Sequence, residues 1–311
     1  MLTVLVRRLL NVVPTLVAVI ALVFLLFSVL PGSFISGMNE DGRGLVDPAV
    51  MERMRKEMGL DDPLHERFAK YIGKTFVGDF GVSFRTREPV TKLIGDRLWP
   101  SLKLVLASML FAIVIGVPLG FIAALKPGSV TDTTSMVVAI SGLSLPKFWL
   151  GLMLMYLFAL QLKILPSFGY GDGGLTHLTL PAIALGVSPM ALLARTTRAA
   201  VLEVLNADFV RTARSKGMSE PRVVTWHVMR NALVLVITTI GLQFGSLMGQ
   251  AVVVEKLFAW PGVGSLLVDS VFQRDIPAVQ GCILLIVLFF LAINTLIDLA
   301  YVTIDPRIRY A

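Results

Sequence analysis

Long apolar runs without charge are the feature that most constrains the fold of this chain. The run from Val12 to Leu30 carries no charged side chain, and five further runs have a similar character. A helix needs about 20 apolar residues to cross the hydrocarbon core of a bilayer. Only 16% of the residues are charged and 55% are hydrophobic, which leaves too little polar surface for a soluble core of this size. The sequence therefore predicts an all-α polytopic membrane protein and excludes a disordered chain, a disulfide scaffold and a cytosolic enzyme.

Six transmembrane helices are predicted, and two of the runs need comment. Arg7 and Arg8 before the first run are also typical of a signal peptide, but no small-residue cleavage site follows, so we predict a retained helix. The third run is too long for one straight helix and has Pro146 at its middle, which predicts a kinked or broken crossing. The six predicted spans are 12–30, 102–125, 133–162, 178–193, 232–254 and 281–302.

The distribution of basic residues predicts the orientation of the chain. Twelve lysines and arginines lie at the two termini and in the loops on their side, against three in the short loops opposite. Since cytoplasmic loops carry the excess of positive charge, both termini are expected in the cytoplasm. The predicted parts are residues 1–30 (N-terminal cytoplasmic end and first span), 31–100 (external segment), 101–303 (helical core with five spans and connector 195–230) and 304–311 (cytoplasmic tail).

The external segment 31–100 is expected to fold in part into helices. Asp47 and Pro48 are a favourable start for one helix. A second, amphipathic stretch runs from Leu64 to Ile72. The alternative is an extended, mobile loop.

Sequence signatures of catalysis are missing from the chain. There is no P-loop, no nucleophile elbow and no pair of histidines at zinc-ligand spacing. We therefore expect no catalytic residue, no metal site and no bound cofactor. Two intramembrane charges, Lys147 and Asp298, belong to no chain of carboxylates or histidines that would relay protons. Lys147 either faces a water-filled cavity or extends from a broken helix towards water.

The connector 195–230 is predicted to form a basic knob on the cytoplasmic side. A helix from Asp208 is expected to end at Gly217, and a second short helix to begin near Ser219, with Glu220 and Pro221 in its first turn. The alternative is a basic loop that touches only lipid headgroups.

Two further features are candidates for function. Gln243, Ser246 and Gln250 recur on one face of the fifth helix, which suits either a wet path or hydrogen bonds between helices. The external loop Trp260, Pro261, Gly262 and Gly264 forms a turn that either caps the pore or receives a binding protein, or else anchors the chain at the membrane interface.

Several segments together resemble one family, the permeases of bacterial ABC importers in the dipeptide, oligopeptide and nickel group. In that family a cytoplasmic Glu-Ala-Ala motif, followed three residues later by glycine, docks on the ATPase. Aligning this glycine to Gly217 puts Arg211, Thr212 and Ala213 at the Glu-Ala-Ala positions, so only Ala213 and Gly217 match. The other similar segments are 6–14, 58–64, 78–84, 227–233, 255–264 and 305–309.

The resemblance implies a type I ABC importer permease fold in the bacterial inner membrane. It implies a second homologous permease chain, in a heterodimer or a homodimer, two ATPase subunits that use ATP and Mg, and a substrate-binding protein, but no nucleic acid. The implied substrates are dipeptides, oligopeptides or glutathione; the alternatives are nickel or another small solute, or a stand-alone secondary transporter. The implied ATPase-coupling residues are Asp208, Arg211, Thr212, Ala213, Lys216, Gly217 and Glu220.

Overall fold

A computed structural model describes residues 2–29 and 62–304, with side chains for 12–28 and 62–297. The predicted helix after Asp47, the side chain of Asp298 and the C-terminal segment 305–311 lie outside the described residues. Within them, every regular element is helical, apart from one isolated β-bridge between Val82 and Pro89. The helices are α1 (Leu2–Val29), α2 (Leu64–Phe76), α3 (Val90–Leu125), α4 (Val130–Ser144), α5 (Lys147–Leu154), α6 (Leu175–Leu205), α7 (Asp208–Ser215), α8 (Glu220–Arg222), α9 (Arg230–Leu257), α10 (Val263–Phe272) and α11 (Ile276–Ile304).

Four described helical stretches are long and apolar enough to cross a membrane. They are α3, α6, the continuous stretch Glu220–Leu257, and α11 over Ile276–Ile297. A fifth candidate is the bent pair α4–α5, if it forms one broken span; its second arm runs Lys147–Gln161, because the π-helical segment Met155–Gln161 continues α5. The apolar part of α1, Val12–Ser28, is shorter than these. The prediction of an all-helical, multi-span membrane protein is therefore confirmed, whereas the count of six spans is not.

The predicted break at Pro146 is confirmed. α4 ends at Ser144, Leu145 is extended at ψ 127°, and α5 begins at Lys147. The two helix axes differ by 107°. The break has a steric cause, because the proline ring disfavours the helical conformation of the residue before it.

Two predicted boundaries need correction, and one helix was missed. α3 begins at Val90, so the boundary placed at 100/101 lies inside a helix. The early turns of α3 are amphipathic rather than wholly apolar, with Val90 and Ile94 buried, and the search for apolar runs missed them. The second connector helix is not short, because Glu220 opens a continuous helical stretch through the π-helical segment Val223–Met229 into α9. Helix α10 was not predicted.

One compact unit comprises residues 97–265 and the chain from 289 onwards, and α6 is its central helix. Two thirds of the apolar window of α6 is buried, about twice the share in the other candidate spans. Helices α4, α5 and α9 pack against it. Gly116 and Gly120 of α3 lie against the backbone carbonyls of Met190 and Ala194 of α6.

An ion pair adds a polar contact between α4 and α6 in this unit. Arg198 donates two hydrogen bonds to Asp132, at 2.5 and 2.7 Å. Asp132 also accepts the backbone N–H of Gly128 at 2.9 Å, which fixes the turn before α4.

The other unit contains the residues up to 96 together with 266–288. The predicted amphipathic helix is confirmed as α2, which packs on α1 through Phe24, with ring centroids 5.3 Å from Phe68 and 5.6 Å from Tyr71. Asp275 accepts hydrogen bonds from the Ser83 hydroxyl and from the backbone N–H of Phe84. The segment that precedes α3 is thereby tied to the start of α11.

Candidate functional site

The connector turn has the conformation that its glycine predicts. Gly217 lies at φ +78°, in the left-handed region, directly after α7. Its backbone N–H donates to the carbonyl of Arg214 at 2.9 Å, and the N–H of Met218 donates to Ala213 at 3.4 Å. These bonds satisfy carbonyls at the end of α7, as a left-handed C-terminal cap does. The chain can therefore reverse within two residues.

The inner face of α7 fixes the connector to the membrane helices. Val210 and Ala213, three residues apart on the same face, are buried. They pack with residues of α3, α6, the π-helical segment and α9; the cluster is Ala124, Ala200, Val201, Val210, Ala213, Val223, Val228 and Ala232. Helix α7 therefore packs against several membrane helices at once.

Ala213, one of the predicted coupling residues, is buried within the chain. Its side chain is 6% exposed and lies inside the chain's own cluster. The reason is the spacing from Val210, which puts both side chains on the apolar stripe of α7. Ala213 therefore packs within the chain, and its role in coupling stays a prediction.

The outer face of α7 is polar and exposed. Asp208, Arg211, Thr212 and Lys216 are all exposed, and Arg211 lies 3.5 Å from Asp208. Thr212 donates its hydroxyl hydrogen bond to the Asp208 carbonyl at 3.0 Å. Four of the seven predicted coupling residues thus share one accessible face.

Glu220 has a partner that the sequence analysis missed. Arg214 donates to both of its carboxylate oxygens, at 2.6 and 3.1 Å, across the Gly217 turn. The hydrogen bond to Glu220 raises the pKa of Arg214. The sequence places these two opposite charges on either side of the predicted Gly217 turn, and that pattern could have predicted the pair. The pair joins the two sides of the turn, so both carboxylate oxygens of Glu220 accept hydrogen bonds from within the connector.

Two side chains of the predicted polar stripe of α9, Ser246 and Gln250, are joined by a hydrogen bond, and Ser246 also bonds the backbone of Gln243. Gln250 Nε2 donates to the Ser246 hydroxyl at 2.9 Å, and Ser246 donates to the Gln243 carbonyl at 2.9 Å. All three side chains are partly exposed. Lys147, at the start of α5, donates to the Gln250 side-chain oxygen.

The external loop is packed inside its unit rather than open to the membrane interface. Trp260 is fully buried, and its indole N–H donates to the Pro100 carbonyl at 2.9 Å. Tyr170 packs against it edge-on at 4.7 Å between ring centroids. The expectation of an interfacial aromatic anchor is therefore wrong for Trp260, because its polar atom has a protein partner.

A buried carboxylate organises this loop. Glu255 is 1% exposed and accepts the Ser101 hydroxyl at 2.6 Å and the Ser265 N–H at 3.0 Å. A Cβ atom at Gly262 would collide with the Glu255 carboxylate, and one at Gly264 would collide with the backbone of Val252 and then with a Glu255 oxygen. The sequence analysis did not single out Glu255. Its buried side chain explains why position 262 is a glycine.

These features define a polytopic helical membrane protein in which helix α7, on one loop, has a buried apolar face and an exposed polar face. Residues 116–310 match the family described as the binding-protein-dependent transport system inner membrane component, and residues 1–107 match the N-terminal region of that component. The chain belongs to this family. It is a permease component of an ABC importer and not an enzyme.

Curated relatives match along the entire chain. It is 44% identical over 313 residues to the glutathione transport system permease protein GsiC of Escherichia coli strain K12, with 100% of both chains covered. The same identity and coverage hold for GsiC of Shigella flexneri serotype 5b.

Solved structures agree in fold at low sequence identity. An inward-facing structure of the MetNI methionine ABC transporter matches with a TM-score of 0.57 at 19% identity, covering 68% of this chain and 96% of the other. An amino acid ABC transporter with histidines matches with a TM-score of 0.55 at 16% identity, covering 67% and 92%.

Proposed function

We propose that this chain is the permease subunit of an ATP-driven importer in a bacterial inner membrane, and that it carries dipeptides, oligopeptides or glutathione. The full-length similarity to glutathione permeases supports this substrate class. In the proposed assembly, a second homologous permease completes the path and a binding protein delivers the substrate. Two ATPase subunits bind ATP and Mg and dock on the connectors.

The observation that carries the coupling role is the division of α7 into two faces. Its apolar face is locked into the chain's own core through Val210 and Ala213. Its polar face, with Asp208, Arg211 and Thr212, is exposed. A docking element needs both properties, because a loosely attached helix would move without displacing the membrane helices.

Substitution of Arg211 tests this proposal. Arg211→Glu reverses a charge on the exposed face without changing the buried cluster. The permease should therefore insert normally, but several-fold less ATPase should copurify with it. The matched control is Arg195→Glu on α6, also exposed but outside α7. Equal ATPase recovery from both variants would contradict the assignment of α7 as the docking element.

The proposed topology has six crossings, with both termini in the cytoplasm and residues 31–100 outside. Here α1 counts as the first crossing and the bent pair α4–α5 as the third. Single cysteines at the exposed positions Ser215 and Lys163 distinguish the two sides after Cys282→Ala. An impermeant thiol reagent should label Lys163→Cys from outside and Ser215→Cys only after the membrane is opened. The reverse pattern would overturn the orientation.

The substrate class is tested with the complete transporter and its binding protein in vesicles. Labelled glutathione, a dipeptide and nickel should be offered separately, with and without ATP. ATP-dependent uptake of glutathione or the dipeptide supports the proposal, whereas uptake of nickel alone would favour the metal alternative.

A further inference from the structure

Lys147 is a cation within the broken helical pair that the proposed coupling mechanism does not use. It is partly buried and begins α5 directly after the break at Pro146. Its ammonium group donates to the side-chain oxygen of Gln250 on α9, and Gln250 in turn donates to Ser246. The lysine therefore stands at one end of a line of polar side chains.

The charge of Lys147 is not neutralised within the part of the chain that the structure describes. The ion pairs found there involve other residues, and the partner of Lys147 is the neutral amide of Gln250. A lysine ammonium group has three donors, and this bond uses one. A charge held in an apolar segment is costly, so its retention points to a function.

The surroundings of Lys147 fit a water-accessible path. Non-helical backbone at membrane depth is tolerated where protein covers it or where it lines a water-filled cavity. Pro146, at the break, is exposed in the single chain, so in the proposed permease pair the break faces either the partner or the path between the two chains. Gln250 lies about 30 Å along the helix from Arg230, at roughly 1.5 Å per residue. In the proposed orientation this is the external part of the span, where a substrate enters.

We propose that Lys147, held by Gln250, is a subsite for a carboxylate group of the transported peptide. This proposal rests on the proposed peptide-import function. Dipeptides, oligopeptides and glutathione share a free C-terminal carboxylate, and an ammonium–carboxylate hydrogen bond is charge-assisted. A bare divalent cation would be repelled at the same position, so Lys147 favours the peptide alternative over nickel.

The test compares two substrates that differ only in this carboxylate. The whole transporter, with its binding protein, is reconstituted in vesicles as wild type and as Lys147→Gln. Uptake is measured for whichever of glutathione or a dipeptide the wild type transports, with the C-terminal carboxyl group free and amidated. Wild type and Lys147→Gln are measured with the same binding protein, so any preference of that protein for the free or the amidated substrate affects both transporters equally.

The expected result is a fall of about tenfold in the ratio of free to amidated uptake, the usual scale for loss of a hydrogen bond to a charged group. Lys147→Arg should keep the wild-type ratio. Lys126→Gln, an exposed lysine between α3 and α4, is the matched control and should also keep it. An unchanged ratio in Lys147→Gln would overturn the subsite.

A second variant covers the case in which Lys147→Gln does not assemble. Gln250→Glu keeps the volume of the side chain and places a carboxylate against Lys147, so the lysine is paired internally. It should lower the same ratio. An assembled Gln250→Glu transporter with the wild-type ratio would overturn the proposal.

Lipid phosphate is another anion that a lysine near the external end of a span can bind. The experiment is therefore repeated in vesicles with and without anionic lipid. The proposal predicts the same fall in the ratio of free to amidated uptake in both kinds of vesicle. A fall confined to vesicles with anionic lipid would overturn it. If the wild type shows no ATP-dependent uptake of any peptide, the proposed function itself fails; if only the ratio is insensitive to Lys147, the subsite alone fails.

Discussion

At the scale of single residues, two glycines are required for different physical reasons. Gly217 has a left-handed backbone, and a Cβ atom there would meet nothing within 4 Å. Gly262 has no such φ value, but a Cβ atom there would collide with the Glu255 carboxylate. The first position restricts backbone conformation, and the second restricts volume.

Substitution at Gly217 separates conformation from size. Gly217→Val should reduce ATPase copurification several-fold, because the left-handed region costs other residues about 1–2 kcal/mol. Gly217→Asn should remain close to wild type, since asparagine tolerates this conformation. Equal losses in both variants would show that the turn conformation is not what the position requires.

Substitution at Gly262 tests the buried carboxylate. Gly262→Ala should destabilise the protein by about 1–3 kcal/mol, because the added methyl group forces Glu255 out of its hydrogen bonds. The measurement is the melting temperature of the purified permease in detergent. Gly95→Ala is the control, since its Cβ would meet nothing within 4 Å, and it should leave the melting temperature equal or slightly higher. A melting temperature unchanged by Gly262→Ala would contradict the assignment.

At the scale of helices, small residues allow α3 and α6 to approach closely. Gly116 and Gly120 are one turn apart on α3, and each faces a carbonyl of α6. On α6, Gly186 lies against the Ser108 carbonyl of α3 in the same way. Close packing of this kind holds membrane helices together, because the hydrophobic effect contributes little between helices in lipid.

A larger side chain at Gly120 should separate the two helices. Gly120→Val places two methyl groups against Ala194 and Thr197, so the yield of monodisperse protein in size-exclusion chromatography should fall severely. Gly95→Val lies on the same helix outside this contact and should preserve the yield. Comparable yields from the two variants would argue against the α3–α6 contact.

At the scale of the whole molecule, apolar runs predicted most of the helical core. The predicted fourth span 178–193 lies within α6, and the predicted break at Pro146 is confirmed in α4–α5. Both follow from local rules, since apolar length places a helix and proline interrupts it. The early turns of α3 escaped because they are amphipathic.

The contacts that organise the site could not be predicted from local pattern. Trp260 is buried because α3 supplies the Pro100 carbonyl, and Glu255 is buried because Ser101 and Ser265 lie beside it. Pro100 and Ser101 are distant in sequence from their partners, and Ser265 lies on the other side of the loop from Glu255. Hydropathy records the composition of a segment, but it does not record which segment becomes its neighbour.

The central claim is that this chain forms a transport path whose movement is driven by a separate ATPase. The direct measurement is accumulation of labelled peptide or glutathione in vesicles that contain the permease pair and binding protein, with and without the ATPase subunits. We expect accumulation only when the ATPase and ATP are both present. Accumulation by the permeases without the ATPase, driven by an ion gradient, would contradict this account.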